Sequence, residues 1–278
     1  MKVEAFEVDD YQGQRSFRIE TPKAVYLYHR DGAGFASVID ADGNDWIGYR
    51  PGGRSAGEFR GIPNVRPAGF HPGYTESASR IADRDAGDRE IGRAESGIVS
   101  DRVRIVSERL DGSWACTWDI GAAFATLTLT GGGPSDRRSP QTVAEAPASY
   151  WVLYEGTPGG ALRPEEDSLV LSSGEIRRLS VSWDEPLPAP EWIAFRSVRA
   201  GRSLFLLHHE ADDVTDCYWP MEGNMTVFGF GRTGHGQKLR PLMTDLPAHF
   251  TMGFVESLDV DEIRRVAAER GREAAAAS

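Results

Sequence analysis

Four side chains that could carry out acid–base chemistry fall within one stretch rich in glycine and proline. They are Arg60, Asn64, His71 and Tyr74. An arginine can hold a carboxylate through two parallel hydrogen bonds, and an asparagine amide can stabilise the enolate that forms when a neighbouring proton leaves. Histidine and tyrosine can serve as base and acid. The set predicts a β-elimination in which Arg60 and Asn64 neutralise the carboxylate. A structural loop packed by its aromatic residues is the alternative.

A second group lies in residues 203–232, where an apolar run leads into His208, His209 and Glu210. Alternate side chains of a strand point to opposite faces, so His208 and Glu210 share one face and His209 takes the other. Because one face of such a strand packs in the core, we expect at most one of the two imidazoles to line a cleft. His208 is therefore an alternative to His71 as the base.

Aromatic and carboxylate side chains accompany these two groups. Tyr218 and Trp219 could act as platforms for a sugar ring, although a buried core position is the common alternative for a tryptophan in a β-sandwich. Glu222 follows a proline and precedes a glycine, which would set its carboxylate at the end of a strand. Trp151 and Glu155 lie on one side of another strand-like stretch, with Glu155 at a glycine-rich turn. Each carboxylate could also be a simple turn or edge-strand charge.

The sequence does not indicate a cofactor. His208 and Glu210 could hold a divalent metal only with a third ligand, which no recognisable spacing supplies. The acidic segment 40–45 lacks the bidentate Glu of a calcium-binding loop, so we predict a hairpin turn there. Cys116 and Cys217 are about a hundred residues apart and lack the paired spacing of zinc sites. We expect two buried thiols, with a disulfide as the alternative.

The charge of the chain limits the classes of partner. Its 278 residues carry a net charge of −11 and have a pI of about 5.1. This balance disfavours nucleic acid as a partner, since binding to phosphates draws on clustered Lys and Arg. There is no run of about 20 apolar residues and no apolar signal segment at the start, so we predict no membrane association. We expect a cytoplasmic protein, or the mature form of a secreted one.

Short apolar runs separated by Gly, Pro, Asn and Asp dominate the chain, which is typical of an all-β protein. Only residues 259–277 have the periodicity of a helix, with Asp259 or Asp261 as its N-cap. We predict a single domain, residues 1–278, that is a large antiparallel β-sandwich with a short C-terminal helix; a closed barrel is the alternative. The main predicted strands are residues 17–20, 24–29, 35–40, 46–49, 97–110, 114–120, 123–129, 150–154, 175–183, 192–197, 204–209, 226–230 and 250–255.

The first of these strands carry a recognisable pattern. Residues 24–29 (AVYLYH) are followed by Gly34, a short strand, and the turn Asp40-Ala41-Asp42-Gly43, which leads to Trp46. This order resembles the galactose-mutarotase-like superfamily of β-supersandwich proteins. The resemblance implies a supersandwich fold and a carbohydrate substrate. Because the superfamily includes aldose mutarotases, hexose-phosphate epimerases, and sandwich domains of polysaccharide lyases and glycoside hydrolases, it leaves the reaction open.

These observations together predict a carbohydrate-active enzyme that cleaves an acidic, uronate-containing saccharide by β-elimination. The predicted catalytic residues are His71, Tyr74, Arg60, Asn64, His208 and Glu222. The predicted saccharide contacts are Glu155, Tyr218, Trp219, Trp151, His209 and Glu210.

Three other functions fit the same residues. The first is an aldose mutarotase or epimerase, in which an imidazole protonates the ring oxygen and Glu222 or Glu155 acts as the base. The second is a glycoside hydrolase with paired carboxylates, and the third is a non-catalytic carbohydrate-binding module. A saccharide is the expected ligand in each case. An exposed edge strand could also pair with its copy in a homodimer.

Overall fold

The computed structural model describes residues 2–48, 64–66, 77–83, 89–90, 97–109, 115–130, 150–152, 154–156, 160–211, 215–220, 226–230 and 247–277. Apart from the helix α1 (Val260–Ala277), its regular elements are all strands. The strands are β1 (Val3–Tyr11), β2 (Gln14–Glu20), β3 (Ala24–His29), β4 (Gly34–Asp40), β5 (Asn64–Arg66), β6 (Ser77–Asp83), β7 (Arg89–Glu90), β8 (Ile98–Ser100), β9 (Val103–Arg109), β10 (Ala115–Ile120), β11 (Phe124–Leu129), β12 (Tyr150–Val152), β13 (Tyr154–Gly156), β14 (Ser168–Leu171), β15 (Ile176–Arg178), β16 (Trp183–Glu185), β17 (Trp192–Ser197), β18 (Arg202–His208), β19 (Asp216–Pro220), β20 (Thr226–Gly229) and β21 (Ala248–Val255).

Two large antiparallel sheets make up most of this fold. One has five strands in the order β4-β3-β2-β1-β8, and the other has ten in the order β15-β14-β17-β18-β21-β11-β10-β9-β6-β7. Two smaller sheets, β12-β5 and β13-β20-β19-β16, accompany them. Neither large sheet closes on itself over the described residues. The predicted all-β antiparallel sandwich with a C-terminal helix is therefore confirmed, and the closed barrel is not what forms.

Aromatic side chains join the two large sheets. The ring of Phe35 in β4 lies 4.8 Å from the ring of Trp118 in β10, in an edge-to-face arrangement. The hydroxyl groups of Tyr28 in β3 and Ser107 in β9 are 2.7 Å apart. All four side chains are buried, and the alternation of β10 (Cys116, Trp118 and Ile120 inward) gives the sheet one continuous apolar face. The sandwich core thus follows from period-2 patterning on both sheets.

The acidic segment 40–45 forms a tight turn around the buried carboxylate of Asp40. One oxygen accepts the backbone N–H of Asn44 at 3.0 Å, and the other accepts the indole N–H of Trp46 at 3.0 Å. Gly43 has φ = 85°, a conformation that costs glycine little and other residues more. Arg202 of β18 adds an ion pair to Asp40 at 3.7 Å. The segment is a turn, as predicted, and ties the N-terminal sheet to the ten-stranded one.

Three predicted strands are each divided into two strands in the structure, and in every case the two belong to different sheets. The predicted strand 97–110 splits into β8, which pairs with β1, and β9, which pairs with β10. The predicted strand 150–154 splits into β12 and β13, and the predicted strand 175–183 into β15 and β16. Sheet membership depends on pairing with distant strands, so the local sequence pattern does not reveal the switch.

Further differences concern whole strands. The structure adds β1, in which the buried Val3 and Ala5 alternate with the exposed Glu4 and Phe6. It also adds β5, β6, β7, β14 and β19, which are not among the main predicted strands. The strand predicted over residues 46–49 is absent from its described part, residues 46–48. There the Asp45 carboxylate accepts the backbone N–H of Ile47 at 3.0 Å, so a local side-chain bond replaces a strand pairing.

The helix α1 packs on the face of the ten-stranded sheet opposite the sandwich core. Asp259 caps its first turn by accepting the backbone N–H of Glu262 at 2.9 Å, as predicted. Ile263 and Ala267, one turn apart, are fully buried in a cluster that includes Trp192 of β17. Burying an isoleucine side chain contributes about 2 kcal/mol, so this stripe is what holds the helix on the sheet.

Candidate functional site

The end of β18 carries a cluster of imidazole and carboxylate groups. Leu206 belongs to the sandwich core and Leu207 to the cluster beneath the helix, so the two faces of β18 are both covered. His208 continues the inner face, where its ring stacks on Phe250 with centroids 4.9 Å apart. His209 lies on the other face, with Nε2 2.8 Å from Thr251 Oγ1. Strand alternation thus separates the two imidazoles, as predicted.

His208 is buried between two carboxylates. Its Nδ1 lies 2.6 Å from Oε2 of Glu191, the residue before β17, and both side chains are only 2% exposed. Its Nε2 lies 3.2 Å from Oε2 of Glu210. Since an ionised carboxylate can only accept hydrogen bonds, both ring nitrogens must donate, which is the arrangement of a charged imidazolium.

The pKa of His208 agrees with this geometry. Burial by itself lowers the pKa, but the hydrogen bonds to Glu191 and Glu210 and the charges of both carboxylates outweigh burial and raise it to about 9. At neutral pH the ring holds its proton and has no free nitrogen. The sequence predicts His208 as an alternative base; its burial, its two bonded nitrogens and its raised pKa do not favour that role.

Glu210 connects this buried ring to the surface. Its Oε1 accepts from Nδ1 of His249 at 2.6 Å, and its Oε2 accepts the backbone N–H of His249 at 2.9 Å. Burial raises the pKa of Glu210, but the bonds from His208 and His249 outweigh it and bring the pKa down to about 2. Glu210 is therefore ionised under all ordinary conditions.

The exposed fraction of the side chains increases from the buried Glu191 and His208 to Glu210 and His249. Glu191 and His208 are 2% exposed, whereas the side chains of Glu210 and His249 are 39% and 35% exposed. With Nδ1 donating to Glu210, the other ring nitrogen of His249 has no hydrogen-bond partner among the described residues. The arrangement is an exposed imidazole oriented by a carboxylate, which is the geometry of a general base or acid.

Unlike the charged His208 and Glu210 on either side of it in the sequence, His209 is held neutral. Burial is the largest influence and lowers its pKa to about 4, against an opposing effect of Glu210. Its Nε2 is bonded to Thr251, which in turn lies 3.3 Å from the hydroxyl of Thr126. The predicted role of His209 as a saccharide contact remains a prediction.

Tyr218 and Trp219, the predicted saccharide platforms, lie on opposite faces of β19. Tyr218 is fully buried and its hydroxyl donates to the carbonyl oxygen of Leu179 at 2.7 Å. It is a core residue, which corrects the expectation of a platform, because no face of its ring is presented to a ligand. Trp219 is partly exposed, and alternation turns it away from the core.

Three other predicted residues lie on strands that are close in the fold. Asn64 of β5 pairs with Val152 of β12, next to Trp151. Glu155 of β13 pairs with Val227 of β20. These pairings bring two of the predicted groups, separated by about 90 residues in sequence, onto adjacent strands. The predicted catalytic residues Arg60, His71, Tyr74 and Glu222 lie outside the described residues.

Two members of the cluster, Glu191 and His249, were not predicted from the sequence. Glu191 is the residue before β17, and His249 is the second residue of β21. A signal was present, because polar titratable groups at strand ends are common positions for functional residues. Without the strand order β17-β18-β21, however, nothing in the sequence connects either of them with His208.

The described residues contain no group of three or more His, Cys, Asp or Glu side chains arranged as metal ligands. His208 and Glu210 bond to each other instead. Cys116 and Cys217 are both buried and form no disulfide, which confirms the expectation of two thiols, and burial raises the pKa of Cys116 to about 12. No helix in the described part of the chain has the length and apolar character needed to cross a bilayer.

No protein-family model and no curated protein matches the sequence. Several solved structures do align with the fold. The protein HI1317 aligns over 90% of this chain and 99% of its own, with 11% identity and a TM-score of 0.49. YeaD of Salmonella typhimurium, assigned as a mutarotase, aligns over 91% of this chain and 93% of its own, with 11% identity and a TM-score of 0.47.

A galactose mutarotase related enzyme of Lactobacillus acidophilus aligns over 88% of this chain and 98% of its own, with 10% identity and a TM-score of 0.37. Two of these three proteins are described as mutarotases or as related to them. At these identities and TM-scores no functional residue is transferred from them to this chain.

Proposed function

We propose that this chain is a carbohydrate-active enzyme of the aldose mutarotase or epimerase type, which interconverts the anomers of a sugar. The observation that carries the proposal is the partly exposed imidazole of His249, whose Nδ1 donates to the ionised carboxylate of Glu210 at 2.6 Å. The resemblance of the N-terminal pattern to the galactose-mutarotase-like superfamily supplies the substrate class. The saccharide ligand belongs to the same proposal.

The chemistry follows from the tautomer that Glu210 selects. A neutral imidazole with its proton on Nδ1 has a lone pair on Nε2, which can take the proton of an anomeric hydroxyl group. The carboxylate then stabilises the imidazolium that forms. On ring opening the C1–O5 bond breaks and the anomeric oxygen becomes the carbonyl oxygen. Rotation about C1–C2 and reclosure, with the proton returned, give the other anomer.

A second group is needed to exchange a proton with the ring oxygen. The sequence offers Glu155 and Glu222 for this role. Glu155 lies on β13, which pairs with β20, and Phe230 just after β20 lies 5.5 Å from the ring of His208. The strand of Glu155 is therefore connected to the histidine cluster through one neighbouring strand. Glu155 is the group proposed here for the ring oxygen, and Glu222 lies outside the described residues.

The β-elimination expected from the sequence has less support. It requires a base near a carboxylate-binding arginine, and His208 is buried with both nitrogens bonded. Arg60, His71 and Tyr74 lie outside the described residues. Anomer interconversion needs only groups that exchange protons with oxygen, the roles proposed for His249, oriented by Glu210, and for Glu155. A hydrolase and a binding module are the remaining possibilities, and the assays below distinguish them.

Anomer exchange in freshly dissolved aldoses and aldose phosphates, followed by polarimetry and NMR, tests the proposal. The wild-type chain is expected to accelerate the interconversion of at least one sugar. His249→Ala should lower kcat about 10²–10⁴-fold, the typical contribution of positioned acid–base catalysis. Glu210→Gln should also lower kcat, because the neutral amide no longer stabilises the imidazolium. Glu175→Gln is a matched control, since it removes an exposed carboxylate paired with Arg177 of the edge strand β15, outside the histidine cluster.

The alternatives give different products. A lyase would produce an unsaturated uronate that absorbs in the near ultraviolet, and a hydrolase would release new reducing ends. A binding module would show affinity for the sugar with no change in its rate of interconversion. The proposal fails if no aldose in the panel is accelerated, or if His249→Ala retains the full wild-type rate.

A further inference from the structure

The carboxylate of Glu191 is buried behind the partly exposed pair of Glu210 and His249. Glu191 is 2% exposed, its backbone carbonyl accepts the N–H of His208 at 2.9 Å, and its carboxylate lies 2.6 Å from Nδ1 of the same residue. Removing both charges from water costs several kcal/mol each, and a buried ion pair can often be replaced by apolar residues without loss of stability. Stability alone therefore does not account for the pair.

Among the described residues, the ring of His208 contacts aromatic side chains and two carboxylates, and its charge interacts with those carboxylates. Across the inner face its ring contacts Phe250 of β21 and Phe230, with centroids 4.9 and 5.5 Å away. In the part of the chain that the structure describes, the titratable groups that face it are Glu191, which precedes β17, and Glu210, which follows β18, with His249 beyond Glu210. His209 lies on the opposite face of the sheet. In this apolar setting the ring connects the buried carboxylate to the exposed one.

We propose that Glu191 is a positioning residue for the Glu210–His249 pair: through His208 it fixes the orientation and the charge of the Glu210 carboxylate, and thereby keeps the proton of His249 on Nδ1. Glu191 holds one side of the imidazole, so the other side presents an N–H to Oε2 of Glu210. That bond leaves Oε1 to accept from His249 Nδ1 at 2.6 Å. The expected effect on catalysis rests on the proposed function, whereas the expected positions of the protons on His208 and His249 do not.

The proton positions can be read directly from the wild-type protein. Imidazole ¹⁵N spectra at pH 7 are expected to show His208 protonated on both nitrogens and His249 protonated on Nδ1. A neutral His208 at this pH would overturn the proposal, whatever the activity of the protein. This measurement needs no substrate and no variant, so it remains informative if substitutions at the buried position impair folding.

Glu191→Gln then tests the connection. The glutamine can still bond to the ring but no longer carries the charge that keeps it protonated, so the pKa of His208 should fall and the Nδ1 tautomer of His249 should lose its dominance. For the isomerase reaction we expect kcat to fall about 10–100-fold, the effect typical of residues that orient functional ligands, with KM within about twofold. The alkaline limb of the pH–kcat profile should move to lower pH.

The outcomes separate this proposal from the proposed function. If no sugar is isomerised but the ¹⁵N spectra change as expected in Glu191→Gln, the assignment of function fails and the positioning role stands. If isomerisation is found and Glu191→Gln leaves the His208 titration, the His249 tautomer and kcat unchanged, the positioning role fails. Glu175→Gln serves again as the control and should alter neither spectrum.

Discussion

The raised pKa of His208 predicts that the protein becomes less stable as the pH rises above neutrality. In the unfolded chain this imidazole has its ordinary pKa of 6.5, whereas in the fold the pKa is about 9. A raised pKa means that the folded state binds the proton more tightly, so the contribution to stability is complete below pH 6.5 and is lost as the pH approaches 9. The direction is opposite to that of the acid-labile carboxylates.

The magnitude follows from the size of the shift. Each pKa unit corresponds to 1.36 kcal/mol, so the full shift is worth about 3 kcal/mol, of which about 2 kcal/mol is lost between pH 6.5 and 8.5. His209 and His29 act in the opposite direction, because their folded pKa values of about 4 lie below their unfolded value of 6.5; together they offset under about 1 kcal/mol of the loss near pH 6.5. Glu210 is ionised throughout. Closing the window at pH 8.5 limits the ionisation of the cysteines, whose ordinary pKa is 9.0.

Urea unfolding at half-unit pH intervals measures the effect as a change in the free energy of unfolding. The double variant Glu191→Gln with His208→Gln is the control, because it replaces the charged pair by two neutral amides that cannot titrate. We expect a clear decrease in stability with pH in the wild type and no decrease in the double variant. A flat wild-type profile, or the same slope in both proteins, would refute the assignment of His208 as a buried imidazolium.

Two other predictions concern the turn and the helix. Asp40→Asn should lower the free energy of unfolding by about 3 kcal/mol, because the buried carboxylate accepts several N–H groups and faces Arg202. The control is Asp42→Asn, in the same turn but largely exposed, which should cost under about 1 kcal/mol. Equal losses of the two variants in thermal unfolding would contradict the role of Asp40. Asp259→Ala should cost about 1 kcal/mol by removing the N-cap of α1, measured by urea unfolding, with Asp259→Ser retaining most of the stability.

Much of the fold could be predicted from local patterns. The strands β3 and β17 have the predicted bounds, and the helix α1 begins one residue after its capping aspartate. Period-2 alternation assigned His208 and His209 to opposite faces. These features depend on neighbours within a few residues, namely the pleat of a strand and the first turn of a helix, and the sequence therefore determines them without reference to the rest of the chain.

The composition of the site was decided by the tertiary structure. His208 meets Glu191 across 17 residues and Glu210 meets His249 across 39, because β17, β18 and β21 are neighbours in the ten-stranded sheet. Strand order is fixed by the packing of whole sheets, and no local pattern records it. The same packing buried His208 between two carboxylates, raising its pKa, and left His249 at the surface. The sequence could supply the imidazoles and carboxylates, but only the sheet order determined which of them act together.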